Sequence, residues 1–395
     1  MENRLSKKLL AKFGFRAEFA RNLIALGLNP GLVCFIESCV ITLPAAAAEP
    51  AWQCGAAIDV SYANAFQSDR ALNWRSKATT QRLNAFAPNM GMLYLRKPAD
   101  EGSRWGVEIG AQAGYDNDGQ VPSQQRLPGY SVLRYVSRAN LSYLAPIGNG
   151  LTLSGGLMNS FIGFESSFAK DNFNYTRAWI ADYSPYYLIG IGAQYPFNQH
   201  FSGGFYLLSD YDYLAYRNSQ PKYGSQVVWT IDGRWKLTQN LFAGPEQNNV
   251  DTRYWRYFSD TVLQWADDSL TLALAYDVGT EKLDISSEKQ ALWMGTALFG
   301  RWHIGGPWSV AIRPELYWDS DGRMTGSRQL VKATTATVEY KVSWDYASLA
   351  FRTEYRFDKS DGQQGGFFRS RNSDLDLVGE QHLALFSCLL TFDKR

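Results

Sequence analysis

The stretch "WSVAIRPELYWD" (308–319) limits the possible folds more than any other part of this chain. Its even positions read Trp308, Val310, Ile312, Pro314, Leu316 and Trp318, while Arg313, Glu315 and Asp319 stand opposite, and a period of two marks a strand with one apolar and one polar face. The two tryptophans lie ten residues apart on the apolar face. At about 3.3 Å per residue and a tilt near 40° they are separated by roughly 25 Å along a membrane normal, the height of the apolar band of an outer-membrane barrel. Trp105, Trp308 and Trp318 are the expected girdle residues. A soluble sandwich would also accommodate this one strand, and Pro314 calls for a bulge or an unpaired carbonyl.

The same pattern recurs. In "SLAFRTEYRFD" (348–358) Leu349, Phe351, Tyr355 and Phe357 oppose Arg352, Glu354, Arg356 and Asp358. In "RWGVEIGAQAGYD" (104–116) and "SVLRYVSRANLSY" (131–143) the polar faces carry Glu108, Gln112, Arg134, Arg138 and Asn140. Strands are expected at 54–64, 83–95, 105–115, 132–144, 150–158, 186–196, 200–209, 223–232, 234–244, 255–266, 269–279, 288–304, 306–319, 330–346, 347–358 and 380–392. Connections after even-numbered strands are short ("APIGN", "FNQ", "DG", "ADD", "GG"), and those after odd-numbered strands are long. This asymmetry belongs to a barrel with periplasmic turns and extracellular loops, and a sandwich has no reason to keep it. The fold class is therefore all-β: a transmembrane antiparallel up-and-down β-barrel of about sixteen strands. Such a wall grows around its perimeter, so residues 49–395 form one domain although the chain is long enough for two or three ordinary ones.

Residues 1–48 stand apart. Six basic residues precede the apolar "GLVCFIESCVITL", and Ala46-Ala47-Ala48 fits a small-residue cleavage site, so the segment reads as an export signal peptide. Without it 33 Lys and Arg remain against 35 Asp and Glu, which disfavours nucleic acid as a partner. Cys54 and Cys388 are the cysteines left, on the first and last strands, which neighbour one another in a closed barrel. A disulfide across that seam and two separate thiols both stay open. The chain ends on "HLALFSCLLTF" (382–392), too short for a membrane-spanning helix but the right length for a closing strand. Both of its parities are largely apolar, so its facing is ambiguous.

Several stretches resemble the OmpL-like beta-barrel porins: "LYLRKPAD" (93–100), "GNGLTLSGG" (148–156), "IGFE" (162–165), "DNFNYTRAW" (171–179), "GAQYPFN" (192–198), "AGPE" (243–246) and "LALAYDVG" (272–279). The resemblance covers roughly residues 55–280. It implies an outer-membrane porin and strengthens the fold more than the identity of any solute. Where such proteins tend to show His-Thr-Gly after the proline of the central loop, this chain has "YYLIG", so no role of that polar group carries over.

The longest inner connection, 159–185, is the expected constriction, by analogy with the loop that folds into the lumen of sixteen-stranded general porins. Glu165, Lys170, Asp171, Arg177 and Asp182 would then face Arg134, Arg138, Arg313, Arg352 and Arg356 on the wall, setting up a transverse field. The alternative is a loop that lies over the rim with its charges paired locally. His200, His303 and His382 are scattered without metal-ligand spacing, and no catalytic constellation stands out, so neither an enzyme nor a metal or other cofactor is expected. The leading expectation is passive diffusion of small hydrophilic solutes and ions through a water-filled barrel in the bacterial outer membrane. The rivals are a selective or loop-gated channel and a structural or adhesive barrel. Expected partners are outer-membrane lipid and lipopolysaccharide, small hydrophilic solutes and the barrel-assembly machinery, and a pore of this size is compatible with a homotrimer.

Overall fold

Alternation of apolar with polar side chains drives strand formation along nearly the whole chain, because each strand can then offer one face to hydrocarbon and the other to the interior. The computed structural model describes residues 52–120, 130–211, 220–246, 254–283 and 288–394; the expected signal peptide lies outside the described residues. Sixteen strands form the wall: β1 (Gln53–Ala65), β2 (Phe86–Lys97), β3 (Trp105–Ala113), β4 (Val136–Ala145), β5 (Leu151–Asn159), β6 (Tyr187–Pro196), β7 (Phe201–Leu208), β8 (Lys222–Thr230), β9 (Trp235–Pro245), β10 (Trp255–Ala266), β11 (Leu270–Lys282), β12 (Gln290–Gly305), β13 (Trp308–Asp319), β14 (Gln329–Ser343), β15 (Ala347–Ser360) and β16 (Glu380–Lys394). Each is antiparallel to its neighbour in sequence, and β16 returns to β1, so the sheet is a closed barrel without a free edge.

At one end the connections are short, from 98–104 down to 306–307. The hairpin between β12 and β13 is made by Gly305 and Gly306, both at positive φ (146° and 56°), which other residues rarely adopt. Asp232 and Asp267 cap two further turns by accepting backbone N–H groups two and three residues on, at 2.7–2.8 Å, and those donors hold both carboxyls below their ordinary range. At the other end lie the long connections, among them 66–85, 160–186 and 361–379.

One local expectation needs correction. The fourth strand begins at Val136 rather than 132, because the backbone of Tyr130–Leu133 forms a helical turn, α2, following the short helix α1 (Tyr115–Gln120). A register shift between Gly110 and Ala111 re-aims the chain here. Arg134 therefore precedes the strand, where it pairs with Asp118, and does not line the wall. At Pro314 the expected alternative of unpaired backbone holds rather than a bulge: Ala297 pairs with Glu315 and Gly300 with Ile312 in unchanged register, with the pairing interrupted between them, and the register of this strand pair shifts only at His303/Gly305.

The outer face is apolar, with Trp105, Trp308 and Trp318 all exposed and the last two at opposite ends of β13. The core lies inside the barrel. Trp179, Ile180, Tyr175, Phe242, Phe258, Trp293, Phe299, Leu383, Leu385 and Leu389 belong to one buried cluster joining the wall to the 160–186 connection. The facing of β16 is thereby settled: Leu383, Leu385 and Leu389 point inward, Phe386 is exposed, and Cys388 lies on the Phe386 parity. Cys54 is buried on β1 and Cys388 is half-buried on β16.

Candidate pore and its inner loop

Loop 160–186 connects β5 to β6 and is drawn onto the inner wall by hydrogen bonds that use its backbone as much as its side chains. Asn172 shapes the first part: its Oδ1 accepts from the Ser166 N–H and its Nδ2 donates to the Ser166 carbonyl, both at 2.8 Å, around the short 3-10 turn Ala169–Asp171. Arg352 on β15 then donates to the carbonyls of Ala169 (2.8 Å) and Asn172 (2.9 Å). Arg313 on β13 donates to the Thr176 carbonyl at 2.6 Å, and Arg356 on β15 to that of Arg177 at 2.9 Å. The loop's own N–H groups meet wall carboxylates. Tyr175 and Thr176 donate to Glu354 at 2.7 and 3.1 Å, and Trp179 to Glu315 at 2.5 Å. The indole of Trp179, in the single helical turn α3 (Trp179–Asp182), donates to Asp358 at 2.8 Å. Farther round the barrel, the Gly163 N–H reaches Asp260 and the Ser184 hydroxyl reaches Asp277.

The expected site residues fall into two sets. Glu165 meets Arg313 at 2.8 Å and accepts the Ala178 N–H at 2.6 Å, and both side chains are buried. Burial raises the Glu165 carboxyl, with Arg313 pulling the other way. Arg352 bridges to Glu339 at 2.7 Å, and Arg356 binds Asp358 and Glu315 at 2.8 and 3.1 Å. Arg177 and Asp182 are held from the outer loops rather than from the wall: Arg177 lies 3.5 Å from Asp116, and Asp182 pairs with Lys77. Burial lowers the Lys77 ammonium against the pull of Asp182, and pushes the Asp116 carboxyl up to about 7 with Arg177 opposing. Lys170 and Asp171 pair at 2.6 Å where water reaches them, and Arg138 pairs with Glu108 at 2.6 Å on the neighbouring strand. Of these loop charges Glu165 alone meets a wall charge, in direct contact with Arg313, where an arrangement across water was expected. Lys77, Asp116 and Asp59 are partners of the loop that no sequence pattern marks; the Tyr175 hydroxyl donates to Asp59 at 2.6 Å. Their partners lie roughly 60 to 120 residues away, beyond the reach of any local pattern.

The opposite wall differs. Inward positions of β4–β8 include the small groups Ser142, Thr152, Ser154, Gly192, Ser202 and Gly204, all partly open to water, while Leu188, Leu208 and Lys222 nearer the long loops are buried. Gly192 and Gly204 make room for the ring of Tyr206, since a Cβ at Gly192 would lie 2.3 Å from that ring. The hydroxyl of Tyr206 bonds Gln194, and Phe161 of the loop stacks on Tyr206 at 4.1 Å between centroids. Phe161, Phe164 and Phe173 of the loop are half-buried and pack against the buried core, the Phe164 ring 4.6 Å from that of Phe299. Among the described residues no group of three or more His, Cys, Asp or Glu could hold a metal ion.

A family model described as "Putative beta-barrel porin-2, OmpL-like" matches residues 52–392. No curated protein matches the chain. Among solved structures, the outer-membrane channel DcaP of Acinetobacter baumannii superposes with a TM-score of 0.54 at 7% identity, covering 87% of this chain and 96% of that one. The anion-selective porin from Comamonas acidovorans gives 0.53 at 13% identity, covering 87% and 99%. OmpF of Salmonella typhi, in complex with daunomycin, gives 0.55 at 10% identity, covering 86% and 97%. At these identities the likeness shows the fold alone.

Proposed function

Because this chain belongs to the OmpL-like beta-barrel porin-2 family, which places it in the bacterial outer membrane, we propose that it lets small hydrophilic solutes and ions diffuse passively through the barrel, along a path between loop 160–186 and the β4–β8 wall. The observation that carries this reading is the inner face of β5, where Thr152, Ser154, Gly156 and Met158 are all partly open to water while the facing loop is fixed elsewhere. Small side chains there leave cross-section, and hydroxyls replace part of a solute's hydration shell. Loop 160–186 acts as the constriction, and its buried ion pairs keep it in place. The outer face meets outer-membrane lipid and lipopolysaccharide; insertion by the barrel-assembly machinery and a homotrimeric state belong to the same proposal.

A second reading, a selective channel, is favoured by the amount of interior that the loop fills. Glu165, Arg177, Arg313 and Arg356 are buried in a region that an open pore would leave hydrated. Single-channel recording in planar bilayers tests both. Stable conductance steps support a pore, and small steps with solute-dependent block support the selective form. Silence at every voltage overturns both in favour of a structural barrel.

A further inference from the structure

The charges that fix the loop are mostly buried against one another or against its backbone, whereas several of those facing water inside the barrel are basic. Glu339 on β14 is the clearest case. Arg352 stands directly opposite it in the strand register and bonds it at 2.7 Å, while Arg301 on β12 bonds its other oxygen at 2.6 Å. Lys341 lies two residues farther along the same inward face and is exposed. His303 lies two residues beyond Arg301 on that strand's inward face and is exposed as well. One carboxylate thus meets two guanidiniums with an ammonium beside them, and Arg301 and Lys341 keep contact with water. The Arg301 guanidinium also lies 5.9 Å from the ring of Phe173, on the half-buried face of the loop. Across the barrel Lys236 is the exposed inward residue near the start of β9. The acids with water access inside the wall are Glu108, bridged to Arg138, and Asp393, which accepts the Tyr94 hydroxyl at 3.0 Å near the end of β16. On the loop, Asp171 is bridged to Lys170.

We propose that the Arg301–Lys341 patch beside Phe173 is an anion-selecting step of the lumen, so that the permeating class is small anions rather than cations. This rests on the porin reading above. Fixed positive groups in a narrow passage with low-dielectric walls raise the local anion concentration and repel cations. The patch lies toward the short-turn ends of β12 and β14, where Arg301 and Lys341 reach water beside Phe173 of the loop, so a solute anion arriving there exchanges part of its hydration for a guanidinium whose other side is already bonded to Glu339.

The test is the reversal potential of the purified full-length protein in planar bilayers under a KCl gradient. The wild type should favour chloride over potassium by roughly twofold or more, and Arg301→Gln with Lys341→Gln should bring that ratio to near unity. Lys332→Gln, an exposed lysine on the outward parity of β14, should leave it unchanged. Heat-modifiable mobility shows whether each variant is folded. Lys341→Gln alone, which spares the Glu339 bridge, should produce part of the shift if the double variant fails to fold. Potassium preference in the wild type, an unchanged ratio in folded variants, or an equal shift from Lys332→Gln would overturn the proposal while leaving the porin reading intact. Absence of any conductance would overturn both.

Discussion

The wall from β12 to β15 and the wall from β4 to β8 have the same pleat and the same closed register, yet they use their inward positions in opposite ways. On the first, the inward side chains that meet the loop are removed from water and many are large or charged, as with Trp293, Arg313, Glu315, Glu354, Arg356 and Asp358, and water reaches the inward face only toward the short turns, at Arg301, His303 and Lys341. On the second, Ser142, Thr152, Ser154, Gly192, Ser202 and Gly204 are reached by water, while Leu188, Tyr206, Leu208 and Lys222, nearer the long loops, are buried. Strand length follows the division, from 8 to 10 residues in β4–β8 against 12 to 16 in β12–β15. The difference teaches that one barrel can be a protein core along one side and a solvated surface along the other. Where the loop docks, burial of charge is tolerated because each guanidinium finds both carboxylates and carbonyls; an isolated ion would not be.

The largest effect that would break this comparison is at Arg356. Arg356→Ala leaves Asp358 buried without its cation and Glu315 with only Arg313, at 3.3 Å, and should destabilise the folded barrel by about 3–5 kcal/mol in urea titrations of the protein in lipid vesicles. Ser154→Ala on the other wall should change stability by less than about 0.5 kcal/mol, and comparable losses at the two sites would erase the distinction. Next comes a change of bore. Ser154→Trp should cut single-channel conductance by roughly half or more without moving the urea midpoint, because the added ring enters solvated space rather than core. An unaltered current would move the path away from β5.

A subtler effect concerns pH. Asp116 has its carboxyl raised to about 7 in the fold, chiefly by burial, so the folded state holds a proton that the unfolded chain releases near 4. The stability it supports is complete below about 4 and is lost as pH rises through about 7. Amide exchange at Thr80, whose N–H donates to Asp116 at 2.7 Å, should therefore quicken across that interval, and Asp116→Asn should flatten the dependence. The smallest effect is expected on the outside: Lys332 and Asp361 pair at 2.8 Å but are about half exposed, so Lys332→Ala should cost no more than about 1 kcal/mol.

Much of the wall was legible in advance because alternation is a local signal. Arg352, Glu354, Arg356 and Asp358 fall on the inward parity read from "SLAFRTEYRFD", and the long connections fall at the end opposite the short turns. The closing strand could not be oriented from sequence for a physical reason: its inward Leu383, Leu385 and Leu389 pack on a core supplied by the loop, so both faces had to be apolar. The site was legible only in its parts. Loop 159–185 and its charged residues could be picked out, but pairings such as Lys77 with Asp182, or Trp179 with Asp358, join residues more than 100 positions apart. The start of β4 was misread because Val132, Leu133 and Tyr135 mimic a strand pattern, while the register shift at Gly110 turns the chain aside.

Arg313, Arg352 and Arg356 grip the inner loop through the carbonyl oxygens of Ala169, Asn172, Thr176 and Arg177. Every amino acid brings such an oxygen, so this grip is indifferent to the side chains at those four positions. The trajectory of the segment is in this sense decoupled from its composition. Mutational drift along it could retune what the passage admits while the chain continues to follow the same course.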